Sequence, residues 1–425
     1  MNPKKAEKKE RKALWDKFRK EHYTIIAPDM LPITFELFIH ILERSGIHFV
    51  VVPPMGREAK DEGLRTVQND ACYPAIITTG QFIAELKKGT YDLNKTAVIM
   101  SQTGGGCRAS NYISLIRKAF EKEFPTIPVL SINFSGLEKL YSIPLKFGEA
   151  RQMLHAIMYG DLLMNLVDQA EPYHQKEEVQ KALRKCLDTL ISEIGHHSFY
   201  KTSKNYRMIL NEFKDLKPDL ENRKPRVGIV GEIYVKYSPY ANNHLADFLV
   251  EQGCEVVYPS LAEFCLYCLY NNIRDYEQYG QGKATVTLFK FAYKAFLRST
   301  RKQARFMKDT GFFPYEDFEY VLSEGKKVIS DGVKMGEGWL IPAEMVAYAE
   351  GNTKNIVVVQ PFGCLPNHIV GKGMIRPVKK IVPEANIIPL DFDASSTQVN
   401  QENRLKLMLA NIRREAAEKN KAENE

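Results

Sequence analysis

"KTAVIMSQTGGGCRASNYISLIRKAFEKEFPTIPVLSIN" (Lys95–Asn133) decides the fold. Its ends, "TAVIMS" (Thr96–Ser101) and "IPVLSIN" (Ile127–Asn133), are short continuous apolar runs of the kind found in strands covered on both faces. Between them "NYISLIRKAFEKEF" repeats apolar residues at i, i+3 and i+4, as a helix packing on a sheet does. Strand, helix and strand in that order predict a parallel βαβ unit.

The same alternation extends outward. Upstream lie the helical "ITFELFIHILERSG" (Ile33–Gly46) and the strand-like "FVVVPP" (Phe49–Pro54). Downstream, from about Asp161 to Arg223, the chain is helical and charged, as in "KEEVQKALRKCLDTLISEIG", and ends in "KPDLENRKP". A second unit then starts with "RVGIVGEIYV" (strand), "NNHLADFLVEQG" (helix with a closing glycine) and "CEVVYPS" (strand). A long helical stretch follows from about Leu261 to Lys308. The alternation resumes in "NIVVVQPFGCLPNHIVGKG" and "NIIPLDFDAS", and a last helix covers "NQENRLKLMLANIRREAAEK". The predicted architecture is α/β: two parallel-sheet, flavodoxin- or Rossmann-like domains (23–160 and 224–425). A helical connection (161–223) joins them, a helical insertion lies at about 261–325, and a charged N-terminal helix or tail covers 1–22.

At 425 residues two domains are expected. No run of about 18 apolar residues occurs, so no membrane-spanning helix is expected, and the charged N-terminal stretch lacks the apolar segment of a secretory signal. A cytoplasmic protein is the expectation. The net charge is +7, and nine basic residues against three acidic ones fall in the first twenty positions. That mixed-sign segment reads as a solvated amphipathic helix or a linker, and no nucleic-acid partner is expected.

Seven cysteines are spread along the chain. Cys186, in a charged helix, and Cys254, opening a strand, read as structural. Cys265 and Cys268 have the C-x-x-C spacing of a metal or redox pair, but Phe264, Leu266, Tyr267, Leu269 and Tyr270 around them suit a buried helix. Cys72 in "NDACYPA", Cys107 in "QTGGGCRASNY" and Cys364 in "QPFGCLPNH" differ, because turn residues flank them and two of them follow strands. Loops beyond the carboxyl ends of parallel strands are where ligands bind. Three thiolates fall short of a closed zinc site and suit a cubane iron–sulfur cluster with one open iron, or they are three ordinary loop cysteines.

"NDACYPA", "QTGGGCRASNY", "GEIYVKYSPYANN", "GEGWLIPAE" and "QPFGCLPNHIVGKG" together resemble the C-terminal portion of the long 2-hydroxyacyl-CoA dehydratase activator-type proteins. That portion is similar in turn to the D-component, or β-subunit, of the dehydratases. The resemblance runs from about Thr24 to Met408. It implies a [4Fe–4S] cluster on Cys72, Cys107 and Cys364, fed with low-potential electrons by an ATP-hydrolysing activase. In the dehydratases that electron makes a ketyl radical from a 2-hydroxyacyl-CoA thioester, which then expels its hydroxyl group. This sequence has no G-x-x-x-x-G-K-[ST] loop, so the activase is expected to be a partner, separate or fused. The substrate stays open between an acyl-CoA and another small molecule. Two alternatives stay open as well, a double-cubane [8Fe–9S] reductase and a non-catalytic electron relay. A dimer is expected.

Around the cysteines, Gly104, Gly105, Gly106 and Gly363 are candidates to bring backbone N–H groups to a cluster, or plain turn residues. Arg108 is placed to meet a negative charge, and Asn367 stands three residues past Cys364. His368, Glu232 and Glu337 are the candidate proton-transfer or substrate-anchoring groups, each with an ordinary capping or structural role as the competing reading.

Overall fold

The structure is a computed structural model that describes residues 3–44, 46–68, 70–102, 106–133, 141–396 and 398–423. The first unit runs α1 (Pro3–Lys20), β1 (Thr24–Ala27), α2 (Pro32–Glu43), β2 (His48–Val51), α3 (Glu58–Thr66), α4 (Tyr73–Lys87), β3 (Thr96–Gln102), α5 (Tyr112–Glu123) and β4 (Val129–Asn133). Three helices then bridge to the second unit: α6 (Phe147–Ala170), α7 (Lys176–Glu193) and α8 (Thr202–Glu212). The second unit begins with β5 (Arg226–Gly231), α9 (Ile233–Tyr237), α10 (Leu245–Glu251), β6 (Glu255–Val257), α11 (Leu261–Tyr279) and α12 (Val286–Met307). It continues with α13 (Phe318–Gly325), α14 (Leu340–Glu350), β7 (Asn355–Pro361), α15 (Leu365–Val370), α16 (Ile375–Ile381), β8 (Asn386–Phe392) and α17 (Gln398–Glu423).

Each unit holds a four-stranded sheet, ordered β2-β1-β3-β4 and β6-β5-β7-β8, and every pairing is parallel. The chain is therefore α/β with two doubly wound parallel sheets, as the sequence predicts. Six of the seven β3 residues are buried, and so are six of seven in β7, because helices cover both faces of each sheet. In both sheets the direction of winding reverses beside the first strand, between β1 and β3 and again between β5 and β7. In folds of this type a crevice opens at the carboxyl ends of such strand pairs.

The units are not separate bodies. One apolar cluster runs from Ile26, Val98 and Ile77 through Tyr73, Tyr234 and Tyr237 to Leu266 and Val357. Hydrogen bonds cross the same seam: Tyr73 Oη donates to Ala241 O (2.9 Å), Tyr234 Oη to Gln81 Oε1 (2.7 Å) and Tyr240 Oη to Gly56 O (2.8 Å). The expected boundary at 160/161 falls in the middle of α6, which passes unbroken from the first sheet into the connection. Asp161 of that helix accepts from Leu261 N (3.0 Å) and Ala262 N (2.9 Å), so α6 caps α11 of the second unit.

Two expectations need correcting. The basic N-terminal segment is not solvated along its length: Trp15 and Phe18 of α1 are fully buried against Tyr23, Ile25, Phe49 and Leu130, and Trp15 Nε1 donates to Ser142 O (3.0 Å). Burying two such rings contributes on the order of 2–3 kcal/mol each, enough to dock a helix whose other face is all charge. The stretch 261–308 is two helices, because Gly280 ends α11 in a left-handed conformation (φ +69°) and the chain turns before α12.

Candidate functional site

Cys72, Cys107 and Cys364 each occupy the residue just before a helical turn: α4 for Cys72, the short turn Arg108–Asn111 for Cys107, and α15 for Cys364. Proline lies in the first turn of both α4 and α15, where its missing N–H costs nothing. Cys72-Tyr73-Pro74 and Cys364-Leu365-Pro366 thus share a C-x-P spacing, a signal in the sequence that ties the two loops together.

The fold brings the loops to one place. Tyr73 N donates to Phe362 O (2.9 Å), which joins the start of α4 to the turn that carries Cys364. In that turn Gly363 adopts φ +72°, and a Cβ placed on it would stand 3.0 Å from Cys72 Cα and 3.2 Å from Ala71 O. Glycine is required here twice, for the left-handed backbone and for the approach of one cysteine loop to the other. From the first sheet, Arg108 donates to Asp70 O and so ties the Cys107 turn to the Cys72 loop. From the second unit, Met335 lies over Gly106, where an added Cβ would collide with the end of the Met335 side chain. Gly104 and Gly105 lie outside the described residues.

Each cysteine sulfur has a hydrogen-bonding neighbour. Tyr112 Oη is 3.1 Å from Cys72 Sγ, Ala109 N donates to Cys107 Sγ (3.2 Å), and Asn367 Nδ2 donates to Cys364 Sγ (3.6 Å). Cys72 and Cys364 are buried, Cys107 is partly exposed, and all seven cysteines are free thiols. Burial pushes the thiols of Cys72 and Cys364 up and that of Cys107 to about 11. Glu232 and Glu337 act on Cys107 and Cys364 in the same direction, and Cys107 also responds to Cys72, which places the three thiols in one electrostatic neighbourhood.

Glu232 follows β5 directly, at the reversal point of the second sheet, and both it and Glu337 are buried. Glu232 caps α9 by accepting from Val235 N (2.8 Å), and Glu337 accepts from Ile233 N (2.9 Å) and Asn367 Nδ2 (3.4 Å). Burial raises both carboxyls, and the Glu337 charge raises Glu232 further. The capping role of Glu232 is thus real, and it coexists with a position beside the cysteines. His368 is placed differently: it is exposed, and its Nδ1 lies 2.6 Å from Gln360 Nε2, so it is engaged away from the carboxyl pair. Cys186 is buried in α7 and Cys254 is buried just before β6, whereas Cys268 is exposed on α11 and not part of a fully buried helix face.

Sequence reasoning missed Tyr112, Met335 and Lys236. Tyr112 looks like any apolar residue of α5, and Met335 lies in a loop without pattern. Lys236 did carry a signal, the Glu232-x-x-x-Lys236 spacing just past a strand, which sets both side chains on one side of a short helix.

Among the described residues no three His, Cys, Asp or Glu side chains are arranged to hold a metal ion. What the structure shows is three cysteine sulfurs carried by three loops that contact one another. Asn367 is fully buried beside Cys364, and its Oδ1 has no hydrogen-bond partner among the described residues, as a polar group facing a further ligand would. Among the described residues no helix is long and apolar enough to cross a membrane. No family model matches the chain, and no curated protein matches it either.

Proposed function

We propose that this chain is an iron–sulfur protein in which Cys72, Cys107 and Cys364 hold a [4Fe–4S] cluster, as its resemblance to the 2-hydroxyacyl-CoA dehydratase β-subunit type implies. The observation that carries the reading is the contact of the Cys72 and Cys364 loops across Gly363, with the Cys107 turn tied to them through Arg108. Such a cluster, bound by three thiolates, offers one open iron to a substrate oxygen or sulfur and passes electrons one at a time. The protein's own groups set the conditions. Tyr112 Oη, Ala109 N and Asn367 Nδ2 hydrogen-bond to the three sulfurs, which fixes their orientation and favours the reduced state. The Glu232 and Glu337 carboxyls oppose added negative charge unless protonated, so electron uptake at this site is linked to proton uptake.

The chain has no phosphate-binding Walker loop, so the reading assigns the low-potential electron to an ATP-hydrolysing partner. The reaction class is reductive or radical chemistry on a small molecule, with an acyl-CoA thioester as the leading candidate. Seven free thiols suit a reducing compartment, and the cytoplasm is the proposed location.

Anaerobic reconstitution with iron and sulfide tests this. About four irons and four sulfides per chain are expected, with loss of most of the iron in each of Cys72→Ser, Cys107→Ser and Cys364→Ser. A paramagnetic signal of the reduced protein that changes on adding an acyl-CoA thioester identifies an open iron, and a signal indifferent to every thioester points to a relay. Unchanged iron content in all three variants rejects the proposal, and about eight irons per chain would favour the double cubane.

A further inference from the structure

Beneath the cysteine site lies a second polar group, buried and without an assigned role. Lys236 of α9 is almost fully buried and its Nζ is 3.5 Å from Glu344 Oε1, where Glu344 interrupts the apolar run of helix α14. On its far side Glu344 comes within hydrogen-bonding range of Glu263, in the first turn of α11. These carboxyls are 1% and 4% exposed, yet Glu344 Oε2 and Glu263 Oε1 have no N–H or O–H donor among the described residues. Two carboxyl groups in that position repel unless a proton lies between them. With one proton shared, the three groups are neutral overall, since a single lysine compensates a single carboxylate.

The group meets a solvent-filled cleft at Glu263. Glu263 lines a cleft of about 60 Å³ together with Ser260, Thr300, Gln303, Tyr315 and Glu316. That volume admits water, and its rim supplies polar partners. At the other end Lys236 stands one turn from Glu232 on α9 and acts electrostatically on both Glu232 and Glu337. The other groups facing the pair are Tyr237, Tyr315, Tyr348 and Glu316, and burial raises each of them; Arg301 and Asp317 also line the cleft, where they pair with each other (2.6 Å).

We propose that Glu263 and Glu344 hold one proton between them and, with Lys236, form a buried path that carries protons from the α11–α12 cleft to the Glu232–Glu337 end of the cysteine site. In one delivery the Lys236 ammonium gives a proton to the Glu337 or Glu232 carboxylate, and the shared proton passes through Glu344 to Lys236. Glu263 then takes a replacement from water in the cleft. The net event moves one proton inward and leaves the path as it began. The delivery to Glu232 or Glu337 rests on the cluster reading; the shared proton does not.

Infrared spectroscopy of the full chain tests the shared proton without any cluster. At neutral pH the wild type should show a protonated-carboxyl band that shifts in D2O. Glu263→Gln and Glu344→Gln should each remove the same component, and the double variant no more than either alone. Lys236→Met should add one carboxyl's worth of band, because Glu344 then lacks its counter-charge. No such band in the wild type, no loss in either single variant, or losses that add in the double variant overturn the shared proton; other buried carboxyls such as Asp161 and Glu232 can add to the wild-type band, so the assignment is read from the component each single variant removes, and either single variant suffices if the other fails to fold. For the path, proton uptake on chemical reduction of reconstituted protein should slow at least tenfold in Glu263→Gln at wild-type iron content, and an unchanged rate overturns it. A wild type that binds no iron rejects the cluster reading and the delivery step with it, while the infrared result stands on its own.

Discussion

Substituting Gly363 by alanine separates the two things that glycine does. Its left-handed backbone (φ +72°) costs a residue with a side chain about 1–2 kcal/mol. Its Cβ would also stand 3.0 Å from Cys72 Cα and 3.2 Å from Ala71 O, both backbone atoms of the other cysteine loop that cannot rotate away. Overpacking of that kind adds about 1–3 kcal/mol. Gly89 provides the control, because it has nearly the same backbone angle (φ +71°) with nothing within 4 Å of an added Cβ. Gly89→Ala should therefore cost about 1.5 kcal/mol, and Gly363→Ala about 3.5 kcal/mol. Urea unfolding compares the stabilities, and iron analysis after anaerobic reconstitution compares the sites. The Gly363 variant should lose iron, since relief of the clash moves the Cys364 turn away from Cys72, whereas the Gly89 variant should keep it. Equal destabilisation and equal iron content in the two variants would refute the claim that the cysteine loops meet at this glycine.

Three further outcomes follow from particular contacts. Tyr112→Phe removes the hydroxyl 3.1 Å from Cys72 Sγ; at about 1 kcal/mol for the hydrogen bond, the reduction potential measured by redox titration should fall by about 40 mV at normal iron content. Asp161 is pushed up to about 7 by burial, against two backbone hydrogen bonds from Ala262 and Leu261, so the folded chain holds a proton that the unfolded chain has lost. Its contribution to stability therefore falls as pH rises from about 4 to 7, and Asp161→Asn should flatten the pH dependence of the urea midpoint in that window while costing about 1–2 kcal/mol for the N–H left facing an amide. Glu255, fully buried, binds Arg223 (2.7 Å) and Arg226 (3.0 Å), and Glu255→Gln should lower the unfolding free energy by about 3 kcal/mol, with an exposed pair such as Arg57–Asp61 showing next to nothing on the same test.

Seven of the eight strands were legible as short apolar runs that alternate with helical periodicity; β1 (Thr24–Ala27) was not, because four residues are too few to set it apart, and the buried helix α14 shows that an apolar run alone does not mark a strand. The helix break at Gly280 was hidden by the aromatic residues on both sides of it, which keep a helical rhythm across the turn. Trp15 and Phe18 were hidden by the lysines around them, although their spacing of three is the mark of a docked face. At the site, the three cysteines could be picked out by their turn neighbours, but their meeting could not, since it depends on how two sheets pack. The acid pair was the least visible part. Glu263 and Glu344 lie far apart in the chain, and each alone looks like a surface carboxylate; only the apolar run "LIPAEMVAYA" around Glu344 hints that it is buried.

The cysteines are divided unevenly, two from the first sheet's side and one from the second. During synthesis, Cys72 and Cys107 emerge early and can fold with their own sheet, but Cys364 arrives only after the connecting helices and most of the second unit. A bidentate half-site would then wait, thiols protonated and inert, until β7 is in place. On the cluster reading proposed above, cofactor loading would be a late checkpoint on the whole tertiary structure, since an iron-loaded molecule would be one whose two halves have already found each other.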